Sequence, residues 1–393
     1  MVKASDPNSS FGIQTFPIQM KYRLFLALAI AVLVPFAIGF AGAPSAIAFG
    51  VRSLPPAPTP APSVEISTAT SLRSLAQQRG IGIGTAVQLE PFYNDARYRQ
   101  VLAREFNILV PENTFKFKFL RPNRDEPYDF SQTDRLVEFA KAHQMQVRGS
   151  PLVWHYTQPD WLDRGKFTRE ELLKILQTHI QTVVGRYRGQ VFAWDVVNEA
   201  LNRDGSLRDT IWLRHIGPEY IDLAFRWAHE ADPNARLFYS DYGNDEVGRK
   251  ANAMYTMVAG LLQRDIPIDG VAMQAHKGLR HASRLDLLSQ NIQRLEKLGL
   301  EVQFSELDVS TQDGTGSKEE RFAQQARTYR DLLQVCLSYK NCTAFITWGF
   351  TDRHTWLGSL TGQLEAPLLF DEFYRPKPAY YALKDVLSPQ SGK

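Results

Sequence analysis

Apolar and polar positions change period at regular intervals along the chain after residue 67. Short apolar runs occupy residues 81–87, 108–110, 147–153, 191–197, 236–240, 270–274, 301–304 and 344–348. Their length and β-branched content predict strands covered on both faces. Between them the period turns helical. Thr168 with Glu171 and Ser317 with Glu320 are capping-box sequences, each opening a helix. Leu172, Leu176, Ile180, Val183 and Tyr187 fall on one face of the first, while Leu285, Leu288, Ile292 and Leu295 stripe another helix that Gly299 stops. Strands alternating with helices in this number predict an α/β protein, a (β/α)8 barrel forming one domain over residues 67–388.

The polar residues at the ends of the runs carry the chemistry. The runs lead into Asn113, Trp154 and His155, Asn198 and Glu199, Asp241 and Tyr242, Gln274 and His276, Glu306 and Asp308, and Trp348. Any one of these could cap a helix or sit satisfied in a core. In register at the carboxyl ends of barrel strands they are expected to converge on one cleft. Two apolar runs each deliver a glutamate at the far end, Glu199 and Glu306. A carboxyl group leaving a buried strand is costly to desolvate, and two that face each other are the minimal machinery for breaking a glycosidic bond. Trp194, inside its run, is expected in the core. Gly80, Gly82 and Gly84 have the spacing of a nucleotide loop, but they lie within the first predicted strand and no helix follows at a phosphate. Close backbone packing explains them better.

Residues 1–48 read as a signal peptide or a membrane-targeting segment. Met20, which could be the true start, opens a basic cluster with Lys21 and Arg23; an uncharged stretch follows, then Ala46-Ile47-Ala48. Cleavage and export are expected, with an uncleaved anchor as the competing reading. Residues 49–66, rich in proline, read as a stiff linker. The formal charge of +3 falls to +1 without residues 1–48, which hold Lys3, Lys21, Arg23 and Asp6. So neutral a body lacks the footprint of a nucleic-acid binder and suits an uncharged polymer. Cys336 and Cys342 are expected to pair in an oxidising compartment, two buried thiols being the alternative. No metal-ligand spacing is evident among the eight histidines and two cysteines, and no cofactor is expected.

The stretches Pro111-Glu112-Asn113, Leu152-Val153-Trp154-His155, Trp194 to Ala200, Asp204 to Arg208, Asp241-Tyr242, Gln274-Ala275-His276, Ser305 to Asp308 and Thr347-Trp348-Gly349 resemble glycoside hydrolase family 10, the endo-1,4-β-xylanases. The resemblance implies Glu199 as acid/base and Glu306 as nucleophile of a retaining double displacement, supported by Asn198, Gln274, His276 and Asp308. It implies sugar contacts from Glu112, Asn113, Lys116, Trp154, His155, Tyr242, Trp348 and Trp356. It also implies the Cys336–Cys342 disulfide, no cofactor, a xylan-like polysaccharide as partner, and a monomer. Hydrogen bonds from His276 should favour the charged form of Glu306.

Departures from the family pattern are Ser150 in place of histidine, Phe115 and Phe117, Thr157 in place of glutamine, and Ser240 in place of asparagine. Three function classes follow. The first is the xylanase. The second is a related β-glycanase or transglycosylase on another envelope or plant polysaccharide, for which Ser150 discriminates. The third is a glycan binder without turnover, against which the paired glutamates argue.

Overall fold

The computed structural model describes residues 71–280, 283–362 and 364–389. The expected leader and proline-rich linker lie outside them.

The described residues hold nine strands: β1 (Gly82–Val87), β2 (Ile108–Pro111), β3 (Gln146–Gly149), β4 (Val191–Asn198), β5 (Arg236–Asp241), β6 (Gly270–Met273), β7 (His276–Gly278), β8 (Glu301–Ser310) and β9 (Cys342–Thr347). All neighbours pair in parallel, β1 with both β2 and β9, and β6 with β8. That last pairing closes eight strands into a ring, as the alternating pattern predicts. The short β7 stands apart from the ring order and lies along the end of β8, His276 opposite Asp308.

The eight expected runs all become strands, with two differences at the ends. The third stops at Gly149, and Val153 rejoins the sheet by a single bridge to Val197. The eighth continues to Ser310, so Glu306 does not sit at a strand end. It lies within β8, where the register against β9 shifts between Phe304 and Leu307. Such an irregularity re-aims side chains, which is how a glutamate inside a strand reaches the cleft.

Helices cover the outside because each presents one apolar stripe. Both capping boxes form, at Thr168 and at Ser317. Leu172, Leu176, Ile180 and Val183 are buried on helix Arg169–Arg186, and Leu288, Ile292 and Leu295 on helix Leu285–Lys297. Gly299 takes a positive φ of 75° just after that helix, the backbone state in which glycine ends helices. Gly82 and Gly84 face Ile108 on the neighbouring strand, and a Cβ at Gly84 would come within 2.8 Å of Ile108 Cβ. Gly80 precedes β1 rather than lying in it.

Inside the ring, side chains fill the space in layers. Ala86, Ile108, Val110, Ala344, Ile346 and Trp348 pack together, and Ala193, Phe238 and Ala272 form a second group. Among them lies a charged contact. Arg148 on β3 donates two hydrogen bonds of 2.6 Å to the Asp195 carboxylate on β4 and one of 2.9 Å to Gln303 Oε1 on β8. Both charges are buried.

Two departures from the family pattern prove to be core substitutions. Phe115 meets Tyr187 and the buried Trp194 edge-on, and Phe117 stacks on His179 with 3.8 Å between ring centres. Cys336 and Cys342 form a disulfide across a separation of six residues. Closing a loop that short stabilises by roughly 2 kcal/mol.

Arg148→Met is expected to destabilise the protein by about 3–5 kcal/mol, because it leaves Asp195 ionised and buried without a partner. Chemical denaturation measures this. Adding Asp195→Leu should recover a large part of the loss.

Candidate active site

Glu199 and Glu306 open onto one cavity of about 950 Å3 at the carboxyl ends of the strands. Glu112, Asn113, Lys116, Trp154, Tyr242, Gln274, His276, Asp308, Trp348 and Trp356 line it as well. Asn198 and His155 directly adjoin two of these lining residues, Glu199 and Trp154. Asn198 is buried and bonded to Gln274. His155 stands beside the wall, its ring edge-on to those of Trp154 and Tyr156.

Backbone conformation does the aiming. Asn198 ends β4, and Glu199 then takes a positive φ of 55°. A non-glycine residue in that region costs on the order of 1–3 kcal/mol and persists only where its surroundings hold it. Here the Glu199 N–H donates to Ser240 O at 2.9 Å, and the Glu199 carbonyl accepts from Arg208 Nε at 2.9 Å. Arg208 also donates to Leu201 O and to the Tyr242 hydroxyl. It is therefore the clamp on the acid-bearing turn. Its only sequence signal was its place in the Asp204–Arg208 stretch.

A second kink lies between β6 and β7. Ala275 has φ 59° and separates Gln274 from His276. On one side of it, Gln274 Nε2 donates to Asn198 Oδ1 and to Glu199 Oε1, both at 3.1 Å. On the other, His276 Nε2 lies 3.4 Å from Glu306 Oε2, and His276 Nδ1 lies 3.0 Å from Asp308 Oδ2. Three consecutive residues thus support both carboxyl groups. Asp308 Oδ2 also accepts from Trp356 Nε1 at 2.7 Å, which fixes that indole beside His276.

Burial works against a charge on His276. Asp308 and then Glu306 more than offset it, raising the ring to about 10. At neutral pH it is an imidazolium, and only that form can donate from both nitrogens. Burial also pushes Glu306 above the ordinary carboxylate range; His276 pulls it down, Asp195 pushes it further up, and Lys116 pulls it down. The contribution of His276 has the expected sign, yet desolvation outweighs it.

At the far end, Lys116 Nζ donates to Asn113 Oδ1 at 2.9 Å and lies 4.9 Å and 5.7 Å from the ring centres of Trp154 and Trp348. Burial lowers Lys116, while Glu306, Glu112 and Glu199 raise it. At the opposite end Lys250, which carries no signal in the sequence, donates to the buried Asp241 at 2.5 Å and sits 3.4 Å from the centre of the Tyr242 ring. One face of Tyr242 is therefore occupied.

The remaining departures from the family pattern are quiet. Ser150 and Ser240 are buried, and neither hydroxyl has a hydrogen-bond partner. Thr157 closes a short 3-10 turn that begins at His155. Among the described residues no group of three or more histidine, cysteine, aspartate or glutamate side chains is placed to hold a metal ion.

Comparison with known proteins agrees with this geometry. The chain is 40% identical over 322 residues to endo-1,4-β-xylanase B of Thermotoga neapolitana, covering 80% of this chain and 91% of that protein. It is 38% identical over 316 residues to an exoglucanase of Acetivibrio thermocellus, of which it spans only 28%. The crystal structure of xylanase 10B from Thermotoga petrophila with xylobiose superposes with a TM-score of 0.78 at 41% identity, covering 81% of this chain and 97% of that one. Residues 71–386 match the model of glycosyl hydrolase family 10, and the chain belongs to that family.

Proposed function

We propose that the chain hydrolyses internal β-1,4-xylosidic bonds of xylan with retention of configuration, Glu306 acting as nucleophile and Glu199 as acid/base. The observation that carries this reading is the Gln274–Ala275–His276 kink, which joins the two carboxyl groups to one cavity through adjacent supports. Glu306, anionic beside an imidazolium, attacks the anomeric carbon. Glu199 gives its proton to the departing glycosidic oxygen. An ester between sugar and Glu306 results; Glu199 then takes a proton from water, which displaces Glu306 and restores both groups. Trp348, Trp356 and Trp154 offer apolar faces to the pyranose rings, and Glu112, Asn113 and Lys116 offer hydrogen bonds to the hydroxyls. Asn198, held by Gln274, is placed next to the acid and would bond the sugar 2-hydroxyl. His155, beside Trp154, is assigned a sugar contact of its own.

The disulfide supports an exported protein, since such bonds persist in oxidising compartments. Ser150, where a sugar-contacting histidine is usual, favours a weaker or shifted preference at the cleavage point. Losing one hydrogen bond there costs about 0.5–1.5 kcal/mol, roughly tenfold at most. Xylo-oligosaccharides should therefore still outrun cello-oligosaccharides in kcat/KM; equal values would move the assignment to a broader β-glycanase.

Glu306→Ala should abolish hydrolysis of polymer. Glu199→Ala should lower it by about 10^2–10^4-fold but spare aryl glycosides whose leaving group needs no proton, and NMR of the parent's first product should give the β-anomer. Polymer hydrolysis undiminished in both variants, or an α-anomer first, defeats the proposal. For pH dependence, replacing His276 by Gln removes a cation that stabilises the Glu306 anion. The acidic limb of kcat/KM should accordingly move to higher pH, and a limb that stays or moves down contradicts the assignment of His276.

A further inference from the structure

Tyr242 stands in the cavity wall as a firmly held residue. Its backbone N–H donates to Asp241 Oδ1 at 2.9 Å, and Lys250, bonded to that same oxygen, covers one face of its ring. The other oxygen of Asp241 accepts from the Tyr239 hydroxyl at 2.5 Å. Backbone and ring are thus both fixed, and the hydroxyl at the tip is fixed with them. It accepts from Arg208 Nη2 at 3.2 Å.

Arg208 comes to this place through a hairpin that starts at the acid. Leu201 bridges Leu207 in antiparallel fashion, the Asn202 N–H donates to Ser206 O at 2.8 Å, and the Arg208 N–H donates to Ala200 O at 2.7 Å. Gly205, with φ 88°, turns the chain. The Arg208 side chain then lies along the root of the hairpin, Nε donating to Glu199 O at 2.9 Å and Nη2 to Leu201 O at 3.3 Å. One guanidinium therefore joins the left-handed backbone of Glu199 to the phenol of Tyr242. Its donors form a rigid planar fork, so what fixes one of them directs the others. Glu199 and Leu201 belong to the same stretch as Arg208, whereas Tyr242 follows β5. The Tyr242 hydroxyl ties the fork to a neighbouring strand.

We propose that Tyr242 has two separate tasks: its ring meets the sugar of the leaving group, and its hydroxyl, acting through Arg208, positions Glu199 to protonate the departing oxygen. Arg208 and the Tyr242 hydroxyl are positioning groups for the acid, and the hydroxyl does not serve sugar binding. This rests on the xylanase reading above.

Tyr242→Phe keeps the ring and removes the hydroxyl. The test compares xylohexaose, whose departing oxygen needs a proton, with the dinitrophenyl β-glycoside of xylobiose, whose phenolate leaves without one. In Tyr242→Phe the ratio of kcat/KM on xylohexaose to that on the aryl glycoside should fall by about tenfold, the scale of one lost hydrogen bond. On xylohexaose the loss should fall on kcat rather than KM. Arg208→Gln should lower the ratio at least as far, Arg208→Lys should recover part of that loss, and adding Tyr242→Phe to Arg208→Gln should cost nothing more, since the hydroxyl acts through the guanidinium. Should Arg208→Gln fail to fold, Tyr242→Phe decides alone. An unchanged ratio in Tyr242→Phe, a loss confined to KM, or losses that multiply in the double variant overturns the inference while leaving the xylanase reading intact. Failure of the parent to cut xylohexaose overturns that reading, and this inference with it.

Discussion

A bidentate ion pair buried inside the barrel, Arg148 with Asp195, is the constraint around which the rest is arranged. Two charges out of water hold only if their hydrogen bonds are met, and here three strands meet them: β3 supplies the guanidinium, β4 the carboxylate and β8 the amide of Gln303. β4 and β8 are also the strands that lead to Glu199 and Glu306. Their relative position is thus fixed by a contact with strict geometry as well as by apolar packing. The pair also reaches the chemistry electrostatically, since Asp195 adds to the forces that make Glu306 harder to ionise.

Those forces explain the layers above the pair. A glutamate buried beside another carboxylate drifts toward the neutral form, in which it is a poor nucleophile. His276 answers this as an imidazolium, and Asp308 makes it one. Trp356, bonded to the same oxygen of Asp308 that faces His276, ties one cavity wall to that arrangement. Charge balance and wall position are therefore coupled through a single carboxylate. The strain at Glu199 and Ala275 belongs to the same design: left-handed turns in non-glycine residues are held where neighbouring strands and Arg208 leave no alternative.

Much was legible in the chain. Eight strands declared themselves because parallel strands covered on both sides must be apolar throughout, and helices did so through capping boxes and one-sided stripes. Glu199, Glu306, Gln274 and His276 stood out as polar groups leaving apolar runs. Trp194, inside its apolar run, reads as core and lies there. Arg208 and Lys250 escaped notice, since a lone cation after a turn or inside a helix looks like any surface charge until the structure reveals what it bonds.

Sequence alone determined the barrel, the order of its strands and the pair of glutamates, because burial and periodicity are local signals that accumulate along the chain. Tertiary structure decided the rest: that Glu306 works from within a strand through a shift in register, that burial raises Glu306 against the pull of His276, and that Asn198 is buried and held by Gln274. Each of these depends on distances between residues far apart in the chain and on how much water the fold removes, and no one-dimensional pattern carries either.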